Sequence, residues 1–419
     1  MTGKLRDLVV GAGYLAFTLV RRLQTGRWRS DARTRNGRVG VFPRRAPGPR
    51  ILVHGVSVGE TNALVPFVEA LARSPAAPDV VVSASTGTGF ERARQLHGDR
   101  REVVRFPLDL TWMVERFLDG VRPDAVVLAE LELWPTFTAA CARRGVPVSV
   151  VNGRLSRRSF RGYRRWRPLV RPMFSRLALV VAQSDVYRAR FVELGVPASR
   201  ALVGGSLKWD AARQEADPAA ARELAAAVGI DSGAPLIVAG STGPGEEEAL
   251  IRDLPPGCQL LLAPRNPERW DRVAALVPGM RRRSGATGTP PGGTPQAALG
   301  PPVFLLDTIG ELATAYHLAD AVFVGRSLAP MGGSNPLESV AAGKPTVIGP
   351  HHEHFEEIVT TLSAEGALVV SNEPMRVIAG WIADGAARKA VVRAGSRALS
   401  AHSGVSARTA QLVLGILAA

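Results

Sequence analysis

Three carboxylates in this chain follow short, valine-rich apolar runs closely enough to stand at the carboxyl ends of strands. Glu60 closes the run His54–Glu60 (HGVSVGE), directly after the apolar segment 51–56, and opens a helix-period segment, Glu60–Arg73. A carboxylate there has two uses. It can take a proton from an attacking hydroxyl as general base, or it can complement the positive end of a helix dipole; position alone supports both equally. Glu130 and Glu132 follow the segment 124–130 (DAVVLAE), and if strand geometry persists through Glu130–Pro135 (ELELWP) they point to the same side. Two carboxylates at a strand end are costly unless solvated, paired or used. With Glu60 expected on a neighbouring strand end, use is the reading we adopt.

Other segments offer groups for anions. In Met331–Glu338 (MGGSNPLE), Asn335, Pro336 and Glu338 are spaced as a capping box with proline at the first helical position. The same Gly332-Gly333 turn and exposed backbone N–H groups suit a nucleotide phosphate, and both roles can hold together. Between Arg154 and Arg176 lie nine arginines and no acidic residue, interleaved with Tyr163 and Trp166. Nucleic acid, a phosphorylated glycolipid at a membrane, or plain solvent would each accept such a face. His351, His352 and His354 are too close in sequence to converge on one ion, and no second ligand group is apparent, so a metal is not expected.

The elements that must position these groups follow from periodicity. Apolar β-type runs at 51–56, 79–85, 102–108, 124–130, 146–152 and 177–184 alternate with helical patterns such as Glu60–Arg73 and Leu110–Asp119. Their near-continuous hydrophobicity is that of parallel strands covered on both faces. A second set follows at 235–241, 258–264, 303–308, 321–325, 346–350 and 367–371, after an Ala-rich helical linker at about 207–233. The pattern predicts two doubly wound α/β domains with ligands at the carboxyl ends of the strands, in a cleft where the domains face each other. A Gly-, Pro- and Thr-rich stretch, Gly285–Gly300, reads as a flexible loop. Neither a Walker A sequence nor a GxGxxG between strand and helix is present, which argues against simple NTPase and dinucleotide chemistry.

Composition narrows the partners. Fifty-two Lys and Arg against 37 Asp and Glu give a net charge of +15, which favours anionic partners. Cys141 and Cys258 lie far apart, so a disulfide framework is not expected and a reducing compartment fits. Aromatic residues make up only 6%, and no nucleic-acid motif accompanies the basic stretch. Near the start, Lys4 and Arg6 precede the apolar run Leu8–Val20, closed by Arg21 and Arg22. That run is shorter than the ~20 residues of an upright span. It reads as a helix lying in or partly entering a membrane, with its arginines at the phosphates.

Taken together and in order, His54–Glu60 (HGVSVGE), Thr86–Gly89 (TGTG), Glu130–Pro135 (ELELWP), Asn152–Ser159 (NGRLSRRS), Gly205–Asp210 (GSLKWD), Ala263–Arg269 (APRNPER), Asp307–Leu312 (DTIGEL), Gly325–Leu328 (GRSL) and Gly332–Glu338 (GGSNPLE) resemble the successive motifs of the 3-deoxy-D-manno-octulosonic acid (Kdo) transferases. The resemblance implies a GT-B fold: a membrane anchor at 1–30, an acceptor-binding Rossmann-like domain at 31–215 and a donor-binding one at 216–419. It implies inverting transfer of Kdo from CMP-Kdo to a lipid A precursor at the cytoplasmic face of the inner membrane of a Gram-negative-type bacterium. No metal, cofactor or nucleic acid would take part. By the same resemblance Glu60 is the base, and Glu130 or Glu132 supplies a second essential acid. Ser241, Glu246, Arg265, Gly332, Gly333, Ser334, Asn335 and Glu338 would line the CMP side, with Arg154 and Lys208 as partners of anionic substrate groups. The chain departs from the family pattern at Asn266 and Ser334, where histidine is usual, and at Ser206 and His354, where asparagine is usual. A GT-B transferase with a different nucleotide sugar or acceptor is the alternative expectation.

Overall fold

The computed structural model describes residues 34–212, 217–285 and 302–417. The expected anchor at 1–30 lies outside them, as does nearly all of the Gly285–Gly300 stretch. The described chain divides into two compact units, one reaching to Ala211 and resuming at Gly404, the other running from Ala212 to Ser403.

The first unit is a seven-stranded, all-parallel sheet of β1 (Arg50–Gly55), β2 (Asp79–Ala84), β3 (Val103–Arg105), β4 (Ala125–Ala129), β5 (Val148–Gly153), β6 (Leu179–Ala182) and β7 (Ala201–Val203), in the order β3-β2-β1-β4-β5-β6-β7. Alternation sends Leu52, Val81, Val126, Val150 and Val180 into one apolar layer and Ile51, Val53, Val80, Val127 and Val181 into the other. Both faces are thereby covered, which is why the strands read as unbroken apolar runs rather than alternating ones. The strand order reverses at the β1/β4 pair, where the connections leave for opposite directions and a crevice opens at the carboxyl ends.

The second unit repeats the plan with β8 (Leu236–Thr242), β9 (Gln259–Pro264), β10 (Arg281–Arg282), β11 (Val303–Leu305), β12 (Ala321–Val324), β13 (Thr346–Ile348) and β14 (Val369–Val370), ordered β10-β11-β9-β8-β12-β13-β14 and parallel throughout. Its reversal lies at β8/β12. All twelve expected strand segments are present; β7 and β10, edge strands of three and two residues, were not among the expected ones.

The last helix, Val405–Leu417, does not stay with the second unit, although 216–419 was expected to form one domain. Val405, Ala410 and Val413 join the apolar layer of the first sheet beside Leu64, Phe67, Val68 and Leu71 of the helix Val58–Ala72. Asp210 completes the attachment by accepting from the backbone N–H groups of Gly404 (2.8 Å) and Ser406 (2.6 Å). Among the described residues no helix is long and apolar enough to cross a membrane.

Candidate active site

Glu60 and the Glu130/Glu132 pair come from the two strands that flank the reversal in the first sheet. Ser57 caps the helix Val58–Ala72. The Glu60 carboxylate turns back onto that start, accepting from Val56 N–H at 2.9 Å and from Ser57 Oγ at 3.1 Å. Glu60 therefore organises the helix start, the second of the two uses above, and two of its four lone-pair sites remain for another donor.

β4 ends at Ala129, so strand geometry does not persist through the acidic pair. Glu130 still extends the ladder by one bond, its N–H donating to Val151 O at 3.0 Å. The backbone then turns left-handed at φ +53°. A non-glycine residue held there costs of order 1–3 kcal/mol and is maintained only where its surroundings fix it. The turn still brings both carboxylates to Glu60. Burial, then repulsion by Glu130, raises the Glu60 pKa to about 7 against the hydrogen bonds from Val56 and Ser57 and the nearby Lys208 ammonium. Burial, then the charges of Glu60 and Glu130, raises Glu132 to about 8. Lys208 Nζ lies 3.7 Å from Glu130 Oε1. Lys208, expected to meet a substrate anion, is thus paired within the protein.

Both carboxyls thus hold their protons to well above the ordinary carboxylate range, Glu132 more strongly than Glu60. The sign for stability follows. Each raised carboxyl stabilises the fold fully below its unfolded value of 4.5 and loses that contribution as pH climbs through its folded value, about 8 for Glu132. Glu132→Gln, which carries no ionisable proton, is therefore expected to raise Tm above wild type at pH 8.5 and to leave it unchanged at pH 4. Thermal scans of the two proteins at both pH values check this.

Neighbouring elements support the cluster. Asn152, left-handed at φ +53°, accepts from Leu207 N–H at 3.0 Å and so aligns the Lys208 segment. Asp109 accepts from Thr136 (3.0 Å) and Phe137 (2.8 Å), fixing the helix that follows ELELWP. Buried Arg35 donates to Phe106 O (2.9 Å) and Ser85 Oγ (3.4 Å). Ser85 in turn meets His54, whose ring stacks on Phe106 at 3.8 Å. Burial, with the Arg35 charge, depresses the His54 pKa to about 3, so this imidazole is neutral. Sequence reasoning did not select Arg35 or Asp109, which lack a neighbouring motif, and it gave no role to Asp210, which closes the GSLKWD segment.

The arginine-rich stretch forms two short helices, Arg157–Arg165 and Arg167–Ser175. The first buries no residue completely, but Phe160 and Tyr163 lean on the core, and the Glu132 charge acts on the Tyr163 hydroxyl. Trp166 and Leu169 stand exposed among the arginines. Arg154 follows β5 directly, in the loop leading into these helices.

In the second unit the donor-side residues gather at the carboxyl ends of β8, β9 and β12. Ser241 is left-handed at φ +56° where β8 shifts register against β9, and its carbonyl faces Ser334 Oγ at 3.5 Å. Glu338 and Arg265 act with opposite sign on the buried Tyr316 hydroxyl, which places both near it. That hydroxyl lies where a side chain on Gly240 would stand, so only glycine fits there. Gly332 and Gly333 are left-handed, at φ +85° and +75°, and pack beneath His354 and His352. The histidines thus wall a turn; among the described residues no cluster of His, Cys, Asp and Glu is placed to hold a metal.

The helix after Asn335 is assigned from Leu337, but Pro336 is already helical in conformation, and Asn335 Oδ1 accepts from Leu337 N–H at 3.2 Å, the capping bond expected of it. Glu246, expected at the donor, is 1% exposed and fully engaged with backbone N–H groups.

Residues 32–211 match the family model described as 3-Deoxy-D-manno-octulosonic-acid transferase (kdotransferase). A 3-deoxy-D-manno-octulosonic acid transferase of Bordetella pertussis is 33% identical over 411 residues, covering 92% of this chain and 91% of that protein. The chain belongs to the Kdo transferase family. A Haemophilus influenzae relative of the same name is 32% identical, over 78% of this chain and 77% of its own length. Among solved structures, HepE from Anabaena in complex with UDP-glucose matches with a TM-score of 0.60 at 15% identity, covering 88% of this chain and 99% of that one. That likeness speaks for the fold alone, the two-domain GT-B arrangement of paired Rossmann-like sheets. This protein is a glycosyltransferase of the Kdo transferase family.

Proposed function

We propose that the enzyme transfers Kdo from CMP-Kdo to a hydroxyl of a phosphorylated lipid A precursor, with inversion, at the cytoplasmic face of the inner membrane. The observation that carries the reading is the Glu60 carboxylate, held by Val56 and Ser57 at the β1/β4 reversal with its pKa raised to about 7. In the reaction the acceptor oxygen forms a bond to the anomeric carbon of Kdo as the bond from that carbon to the CMP phosphate oxygen breaks. The hydroxyl proton passes to Glu60, and CMP leaves with the electron pair and the charge. Glu132, whose pKa is raised to about 8, adds no further negative charge to those of Glu60 and Glu130 against an anionic sugar. The left-handed turn at Gly332-Gly333, with Ser334 and Asn335 after it, offers backbone N–H groups to the leaving phosphate, and Arg265, just past the end of β9, supplies a cation at the same edge of the sheet. The exposed Trp166 and Leu169 among arginines suit an interface of acyl chains and phosphates.

The alternative is a transferase for a UDP sugar, favoured by the fold shared with UDP-sugar enzymes. Transfer of labelled Kdo from freshly generated CMP-Kdo to a tetra-acylated lipid A precursor, with CMP and UDP as competitors, separates the two. Product formation inhibited by CMP and indifferent to UDP is expected. No product, together with thermal protection by UDP and none by CMP, would overturn the donor assignment.

A further inference from the structure

Glu246 opens the short helix Glu246–Arg252, yet its side chain points into the unit rather than to solvent. Its Oε2 accepts from Gly243 N–H (2.8 Å) and Arg326 N–H (2.6 Å). Its Oε1 accepts from Ser327 N–H (2.7 Å) and Leu328 N–H (2.9 Å). Four acceptor positions meet four donors. Arg326 is left-handed at φ +60°, which turns three successive N–H groups, 326 to 328, toward one point. Such a concavity is an anion nest, the arrangement that elsewhere receives phosphate. Here the chain's own carboxylate fills it.

The filled nest is connected to the loop on the donor side. Arg326 O accepts from Gly333 N–H at 2.8 Å, and Arg326 Nη2 donates to Met331 O at 3.1 Å. Ser327 Oγ accepts from Gly349 N–H at 2.8 Å, and Ser327 O accepts from His351 N–H at 2.9 Å. The Gly332-Gly333 turn and the Gly349–His351 segment are thereby hung on Arg326 and Ser327, two of the residues that Glu246 grips.

We propose that Glu246 is a positioning residue: an internal anion that shapes the Arg326–Leu328 nest and, through it, the Gly332–Asn335 turn before the nucleotide arrives. This rests on the reading that the second unit binds a cytidine nucleotide. With the nest occupied, the phosphate of the donor is left to the glycine turn. Emptying the nest leaves four buried N–H groups unpaired and frees the turn, so ordering the turn must then be supplied by nucleotide binding.

The test uses the full enzyme carrying Glu246→Ala, with KM for CMP-Kdo, KM for the acceptor and calorimetric Kd for CMP. Donor KM and CMP Kd are expected to rise about tenfold or more, the loss of roughly one charge-assisted bond, with acceptor KM unchanged. Formate, a carboxylate small enough for the vacated nest, should restore CMP affinity to the variant and leave wild type unaffected; a general loss of folding would not respond. Unchanged CMP affinity in the folded variant, or donor and acceptor KM rising together without a formate response, would overturn the proposal. Should Glu246→Ala not fold, Glu246→Asp is read by the same two KM values: a selective rise for donor supports the assignment and no selective rise overturns it. Wild-type enzyme that fails to bind CMP would instead remove the donor reading on which this rests.

Discussion

Glu60→Gln is expected to lower kcat for Kdo transfer by about 10²- to 10⁴-fold, the usual contribution of a positioned general base, while CMP still binds with wild-type affinity. Glutamine keeps the side-chain length and one acceptor for the Val56 N–H that Glu60 now receives at 2.9 Å, so the helix start should survive. The amide cannot accept the hydroxyl proton. The wild-type rate should also carry a limb near pH 7, rising tenfold per unit below it and flattening above, because only the ionised carboxylate is a base. Glu60→Gln should lack that limb. Lys208 lowers the Glu60 pKa, so Lys208→Met should move the limb to higher pH. Initial rates from pH 5.5 to 9 read all three proteins. A Glu60→Gln enzyme that retains both rate and limb would assign the base elsewhere.

The parts of this site that were legible in the sequence are those built from neighbours along the chain. Continuous apolar runs announced parallel strands covered on both faces, and the small and acidic residues after them marked the ends where ligands bind. Glu60 was found because strand, Gly59 and helix start are adjacent. What the sequence could not carry were partnerships across long separations. Asp210 reaches Gly404 and Ser406, nearly two hundred residues on, and so returns the last helix to the first unit. Glu246 reaches Arg326–Leu328 across four intervening strands of sequence, β9 to β12. The family resemblance placed Lys208 and Glu246 at the substrate; in the structure each also has a partner inside the protein. The acidic pair was placed correctly for a reason that does not hold: strand alternation ends at Ala129, and the left-handed turn at Glu130 does the work.

The same limit hid the residue whose loss should most destabilise the second unit. Arg269 sits in APRNPER beside Arg265, with nothing in its spacing to separate the two. In the structure Arg269 forks onto Glu247, Nη1 to Oε1 at 2.7 Å and Nη2 to Oε2 at 2.8 Å, and Thr242 Oγ1 adds a bond to Oε1 at 2.6 Å. Glu247 has no exposed side-chain surface, and Arg269 has 14%. Removing one member of a buried pair strands the other charge, at a loss of about 3–5 kcal/mol. Arg269→Met should therefore lower the stability of the second unit by that order, seen as an early transition in denaturant monitored by fluorescence of Trp270, beside the substituted residue. The double variant Glu247→Leu with Arg269→Met, apolar and of similar volume, should recover much of the loss, because no buried charge remains. A single variant as stable as wild type would mean that water reaches Glu247 and that its burial is not what holds the β8 and β9 loops together. Recovery of stability in the double variant without recovery of CMP affinity would separate two roles of this pair: holding the fold, and setting the loop that carries Arg265.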